Sequence, residues 1–319
     1  MSGDLQPRPR LKAQRSRQMG TFAGLLALCL VLWAATPHFL TVSNLLNVLE
    51  QTSINAIVAV GMTYVIISGG IDLSVGSVLA LAGIALALAL QGGVPAPAAV
   101  GIALATGTAC GLANGVLITF GRLPPFIATL GMMSVARGAA LMLAEGRPIS
   151  GFSDVFRALA TARLVMLPAP VLLTAVVYLV AHFVLVRTVF GRATYAIGGN
   201  EEAARLSGVH VQFHKTAVYG VAGLTSAVAA ILLTARLNSA QPTAGTMYEL
   251  DAIAATVIGG TSLLGGEGTL IGAVIGALIM GVLRNGLNLL NVSSFFQQIV
   301  IGAVIIGAVL IDMSLKRRR

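Results

Sequence analysis

Charge is what this sequence has least of. Only 10% of its 319 residues are charged, where an ordinary soluble domain carries about 25%, so a soluble enzyme is excluded at the outset. Aromatic residues make up 5% while glycines number 37; in an apolar chain, small residues let helices approach closely where lipid supplies no hydrophobic drive between them. Strict alternation of polarity is missing too. Val78–Leu90 is apolar at every position but Gly83, which argues against an outer-membrane barrel. The two cysteines, Cys29 and Cys110, lie inside apolar runs and read as small hydrophobes rather than disulfide partners or metal ligands. What remains, 56% hydrophobic residues, describes an all-α polytopic membrane protein.

Catalytic signatures are equally scarce. The run Gly259–Gly268 is glycine-rich but lacks the Gly-Lys-Ser/Thr end of a P-loop, so the chain is not expected to hydrolyse ATP; a flexible turn is the reading. There is no His-Glu-x-x-His and no Gly-x-Ser-x-Gly, which removes the usual embedded hydrolases. The four histidines, His38, His182, His210 and His214, are scattered; only His210 and His214 share helical spacing, and that pair reads as surface residues. No catalytic, metal or cofactor residue is therefore assigned.

The net charge of +9 is concentrated at the ends. Arg8, Arg10, Lys12, Arg15 and Arg17 precede the first apolar run, and Lys316 to Arg319 follow the last. That is the positive-inside pattern with both ends cytoplasmic; it calls for no nucleic-acid partner, and orientation alone accounts for it without specific anionic lipid. The basic N-terminus followed by Phe22–Ala35 has the form of a signal peptide, but the many later apolar segments favour retention as a first span.

About ten stretches approach the roughly 20 apolar residues that a spanning helix needs: 20–37, 53–68, 74–91, 95–120, 125–144, 168–187, 213–236, 250–260, 269–289 and 296–313. The domain reading is a basic tail over 1–19, a permease-like membrane domain over 20–313 and a basic tail over 314–319. Within it lie an external loop, 145–167, and a cytoplasmic loop, 188–212. Fourteen of the 20 basic residues then fall inside. A faint repeat runs through the spans. Asn114-Gly115 and Asn285-Gly286 are each followed at the same spacing by a new apolar segment, and Asp72-Leu73 and Glu249-Leu250 each open one. The span count makes this an inverted repeat of spans 2–5 and 7–10, an arrangement that puts a transport pathway at the repeat interface.

Polar residues interrupt the lipid pattern at three places. At Ser68–Gly76, Asp72 must face water, protein or a helix end, since an ionised carboxylate at the bilayer centre costs about 3 kcal/mol or more. Asp72 and Ser74 suit the cap of a helix starting near Val75, and substrate contact stands beside that reading. At Asn238–Asp251, Pro242 and Gly245 forbid a continuous helix. This run is either an ordinary loop or a cavity lining whose Thr243, Glu249 and Asp251 could bond a polyol. At Gly198–Gly208, Asn200 is an N-cap, Glu201 and Glu202 suit the first turn, Arg205 pairs with Glu201, and Gly208 fits the C′ position. A two-turn helix is unstable alone in water, so it reads either as a docking element or as a solvated loop.

These three runs, with Ser-Ala-Gln-Pro-Thr-Ala-Gly and Tyr-Glu-Leu-Asp-Ala-Ile-Ala-Ala in the second, resemble the permease subunits of bacterial sugar ABC importers. The resemblance covers about Leu40 to Asp312. It is greatest to members that carry ribose, while members for xylose, arabinose, galactose and inositol share much of the pattern. It implies a type II ABC importer-like homodimer in the bacterial inner membrane, with a cytoplasmic ATPase that binds ATP and Mg, a periplasmic sugar-binding protein and no cofactor in this chain. It makes Gly199, Asn200, Glu201, Glu202, Ala203, Arg205, Leu206 and Gly208 the ATPase-coupling helix. Two positions depart from the family pattern: Glu267 replaces a basic residue, and Met247 a glycine. Alternating access needs only weak contacts along the pathway. Gln51, Thr52, Asn55, Asp72, Ser74, Thr243, Glu249, Asp251, Asn285 and Asn288 are the candidates. The rival is a secondary transporter using Asp72 or Asp251 as a coupling-ion site. On the coupling reading, replacing Glu201 or Arg205 lowers ATPase binding or uptake while membrane insertion stays normal; undiminished complex formation and uptake would defeat that assignment.

Overall fold

The computed structural model describes residues 9–164 and 166–317; Arg8, Arg318 and Arg319 of the two expected tails lie outside the described residues. The chain is helical nearly throughout. In order it forms α1 (Pro9–Ala35), α2 (Val42–Ile67), α3 (Val75–Gln91), α4 (Ala96–Thr119) and α5 (Pro125–Leu143). A short connecting region follows, with β1 (Ile149–Ser150), α6 (Asp154–Thr161), β2 (Arg163–Leu164) and β3 (Leu167–Pro168). Then come α7 (Ala169–Arg187), α8 (Val189–Gly199), α9 (Glu201–Leu206), α10 (Val211–Leu237), β4 (Ser239–Ala240), α11 (Tyr248–Ile258), α12 (Leu270–Leu289) and α13 (Ser294–Arg317).

Among the described residues, seven helices are long and apolar enough to cross a membrane: α1 over Gln18–Ala35, α2, α4, α5, α7, α10 and α12. Three of the ten expected spans fall short of that measure. α3 has 17 residues, the apolar described part of α13 is Ser294–Leu310, and α11 has 11, only about 17 Å at 1.5 Å per residue. The first helix also starts earlier than the apolar pattern, so Arg10 to Arg17 lie on its leading turns.

Helix starts follow local chemistry. Thr41, Thr188 and Thr269 cap α2, α8 and α12, each hydroxyl accepting a backbone N–H from Asn44, Gly191 and Gly272. α4, α5 and α7 carry proline in the first turn, where its missing N–H costs nothing.

The centre of the bundle is the pair α2 and α10, whose facing sides are almost wholly buried. Small residues set their distance. A methyl at Gly61 of α2 would collide with Ala222 and Thr225 of α10. On its other side α10 meets a ladder of three α4 glycines spaced four residues apart: Gly107 faces Gly223, Gly111 faces the Tyr219 carbonyl, and Gly115 faces Thr216. This is backbone-to-backbone packing of the kind that lipid favours. Leu25 and Leu32 of α1 pack with Val282 of α12 in a cluster completed by Val48 of α2 and Phe39 of the α1–α2 connection. Outward faces of α5, α7 and α13 expose Val135, Met142, Leu179, Phe183 and Ile306, a surface suited to acyl chains.

Replacing Gly107 by Val should destabilise the protein by about 1–3 kcal/mol through overpacking. The same change at Gly131, where an added methyl meets nothing within 4 Å, should cost less than about 0.5 kcal/mol. Thermal unfolding of the purified protein in detergent reads both.

Candidate functional site

One end of the bundle carries the α9 loop. Asn200 Oδ1 accepts the Ala203 N–H at 2.9 Å, capping a helix of six residues. Arg205 pairs with Glu201 at 3.4 Å and Glu202 at 3.2 Å, and Lys215 on α10 reaches Glu201 at 3.0 Å. Gly208 takes φ +86° beyond the helix end, and Leu206 is 81% exposed. Ala203 and Leu206 are thus presented on a helix staked at both ends, beside an open groove lined by Arg122, Lys215 and Phe213. His214 is not a surface histidine as expected. Its Nε2 lies 2.9 Å from Thr194 Oγ1 and its ring 4.4 Å from that of Phe190; only His210 of the pair is exposed.

The glycine-rich run after α11 is held rather than free. The Gly266 N–H donates to the Ile67 carbonyl at the end of α2, and Gly265 and Gly266 lie against Gly198 and Gly199. Tyr195 donates its hydroxyl to Gly268 O at 2.7 Å. Burial pushes that phenol up to about 12, so it stays a donor at neutral pH. The loop before α9 is thereby tied to both the end of α2 and the end of α11.

The break between α2 and α3 is closed by Asp72. Its Oδ1 accepts the Ser74 N–H at 2.8 Å and the Ser74 hydroxyl at 2.6 Å, and Asn114 of α4 donates to Ser74 Oγ at 2.8 Å. Asp72 is 1% exposed. The expected capping divides unevenly: the carboxylate bonds the backbone, while the Ser74 side chain makes no cap bond and links Asp72 to Asn114 instead.

The break between α10 and α11 is closed differently. Asn238 takes a left-handed conformation at φ +50° and its side chain accepts the Phe152 N–H at 3.0 Å. β4 then pairs antiparallel with β1, Ile149 opposite Ala240 and Ser150 opposite Ser239. Arg137 of α5 donates to the carbonyls of Pro242 at 2.6 Å and Ala244 at 2.8 Å. Met247 sits at φ +70° immediately before α11, a conformation glycine adopts freely and other residues at a cost of about 1–2 kcal/mol.

Behind this break, α2, α11 and α12 enclose a cavity of about 40 Å³. Arg284 of α12 donates from one terminal nitrogen to both Asp251 oxygens, at 2.7 and 2.6 Å, and Asn55 Nδ2 donates to Asp251 Oδ2 at 3.2 Å. Asp251 is 2% exposed. Among the described residues, Thr52 Oγ1, Asn55 Oδ1 and Arg284 Nε are buried without a partner, each at a desolvation cost of about 1–3 kcal/mol.

The pathway candidates therefore separate. Gln51, Thr52, Asn55 and Asp251 line one cavity. Asp72 and Ser74 form a different network beside α4. Thr243 is exposed in the break, and Glu249 is half-buried against Gly76. Asn285 exchanges amide bonds with Asn44 at 2.8 and 2.9 Å, and Asn288 accepts from Gln297 at 2.8 Å, so both are spent on helix contacts. Sequence reasoning passed over Arg137 and Arg284. The signal for Arg284 was there: a lone cation in an apolar helix requires a counter-charge, and Asp251 requires one as much.

The family described as branched-chain amino acid transport system / permease component matches residues 44–309. The ribose import permease protein RbsC of Escherichia coli (strain K12) is 51% identical over 292 residues, covering 90% of this chain and 91% of the relative. RbsC of Bacillus subtilis (strain 168) is 48% identical over 298 residues, 93% of this chain and 92% of the relative. The D-allose transport system permease protein AlsC of Escherichia coli (strain K12) is 39% identical over 295 residues, 92% of this chain and 90% of the relative. No solved structure matches the chain.

Asp72 can be tested on stability alone. Asp72→Ala, which strips both bonds to Ser74, should lower stability by about 1.5–3 kcal/mol, measured by thermal unfolding. Asp72→Asn keeps an acceptor for the Ser74 N–H and should lose less than half of that.

Proposed function

The chain belongs to the branched-chain amino acid transport system / permease component family, and on that premise we propose that it is the membrane permease subunit of an ATP-driven monosaccharide importer, with ribose as cargo. The observation that carries the cargo is the near-full-length identity of about half to ribose import permeases, against 39% to the allose permease.

In this reading a second copy of the chain completes the pathway in the bacterial inner membrane, with both termini cytoplasmic. An ATPase that binds ATP and Mg docks on Gly199–Gly208. A periplasmic sugar-binding protein docks at the opposite end, where the 145–167 loop pairs with the α10–α11 break. The staked geometry of α9 supports the first contact: Leu206 is presented outward while Tyr195 and Gly266 tie its base to α2 and α11. Movement of α9 then passes into the helices around the break.

The ten-span inverted repeat fits the same picture. α2 and α10 pair at the centre. Each is followed by a break, then a short apolar helix, α3 or α11, then a long one, α4 or α12. In each half a carboxylate at the break or in the short helix's first turn is linked to the long helix: Asp72 through Ser74 to Asn114, and Asp251 to Arg284. The division into tails at 1–19 and 314–319 around a permease domain at 20–313 follows from it.

The test is uptake of labelled ribose, xylose, allose and inositol into liposomes holding the chain with its genomically neighbouring ATPase and binding protein. Ribose uptake that vanishes without ATP or without either partner is the expected result. Uptake of another sugar corrects the cargo and keeps the machine. Uptake driven by an ion gradient alone overturns the reading.

A further inference from the structure

We propose that Arg284, a residue with no assigned role, forms with Asp251 a shut gate on the sugar pathway that reads the hydroxyl groups of a neutral polyol. This rests on the importer reading above.

Three observations converge on one place. Eight buried side-chain polar atoms lack a partner among the described residues, and three of them, Thr52 Oγ1, Asn55 Oδ1 and Arg284 Nε, surround this single cavity. Unsatisfied groups in a native interior need a reason, and local rules are broken where function requires it. The second observation is the chemistry of the set. A hydroxyl, an acceptor and a donor await a ligand beside an ion pair whose charges already cancel: Thr52 Oγ1 can donate or accept, Asn55 Oδ1 accepts and Arg284 Nε donates. An anionic ligand would meet the Asp251 carboxylate and the Asn55 carbonyl oxygen; a cationic one would meet the Arg284 guanidinium. A hydroxyl both donates and accepts, so a neutral sugar satisfies all three atoms without an unpaired charge.

The third observation is size. The cavity of about 40 Å³ admits water, whereas small-molecule pockets are roughly 300–1,000 Å³. The gate is therefore closed in this conformation, and Asp251–Arg284 is the bar across it, joining α11 to α12. α11 is well placed to move. Its eleven residues lie between two turns with left-handed glycines, Gly245 at φ +70° and Gly260 at φ +89°. Displacing α11 from α12 parts the ion pair and turns both of its members, with Thr52 and Asn55 of α2, toward the passing sugar. Exchange of the internal pair for hydroxyl contacts keeps sugar binding weak, as transport requires.

The test measures sugar taken up per ATP hydrolysed in liposomes holding the complete complex, with labelled ribose, xylose and allose. A defect in folding or assembly lowers uptake and hydrolysis together and leaves that ratio unchanged. Thr52→Val removes a hydroxyl that no protein group uses. It should keep or raise thermal stability while the ratio falls at least about threefold, the loss of one hydrogen bond to the sugar. Arg284→Gln should lower the ratio further by leaving the bar open. Because Arg284→Gln leaves Asp251 buried and unpaired, the Thr52→Val ratio decides alone if that variant does not assemble. A wild-type ratio in Thr52→Val, or in an assembled Arg284→Gln, overturns the gate and leaves the importer standing. A wild-type complex that moves no neutral sugar overturns both.

Discussion

A helix interrupted at membrane depth must have its freed backbone groups satisfied by protein, because lipid offers no partner. Much of this structure can be read as the consequence of two such interruptions. The first, between α2 and α3, is satisfied by one carboxylate: Asp72 takes the Ser74 N–H and, through the Ser74 hydroxyl, reaches Asn114. The second, between α10 and α11, is longer and draws on more of the chain. Arg137 takes two of its carbonyls, Asn238 binds the connecting region at Phe152, and β4 pairs with β1. Each repair ties a break to a neighbouring helix or loop, so neither break can shift without its neighbours.

Between the breaks, small residues do what large apolar ones do in soluble cores. The ladder Gly107, Gly111 and Gly115 lets α4 touch the α10 backbone, and Gly61 does the same for α2. Contacts this close depend on shape, so rigid helices move as units rather than by repacking. Motion is then confined to the connections. Around α11 the connections hold the left-handed residues Gly245, Met247 and Gly260. At Met247 a side chain occupies a left-handed conformation that glycine would adopt freely.

The local structure was legible where it rests on short-range chemistry. Asn200 was readable as a cap and Gly208 as a helix stop because both signals lie within one turn of the helix they bound. The helical class followed from scarce charge and continuous apolar runs. Most span limits were legible as well: α3 and α11 lie on the apolar stretches 74–91 and 250–260. The early start of α1 was not, because its first turns are charged and carry no apolar signal. The site was legible as residue types and not as partners. Asn285 and Asn288 looked like free polar groups, yet they bond Asn44 and Gln297, on α2 and α13. Arg284 was passed over because its counter-charge lies 33 residues away on another helix, a distance that no local pattern spans.

If the cavity between α2, α11 and α12 belongs to the pathway through which cargo passes, its lining changes exposure during transport. The most direct test is thiol labelling of Gln51→Cys in a background with Cys29 and Cys110 replaced by Ala. The complete complex is held in liposomes and exposed to a membrane-impermeant maleimide with and without a non-hydrolysable ATP analogue. The labelling rate is expected to change with nucleotide and to fall when ribose is present. Labelling that is the same in every state would contradict that placement of the cavity.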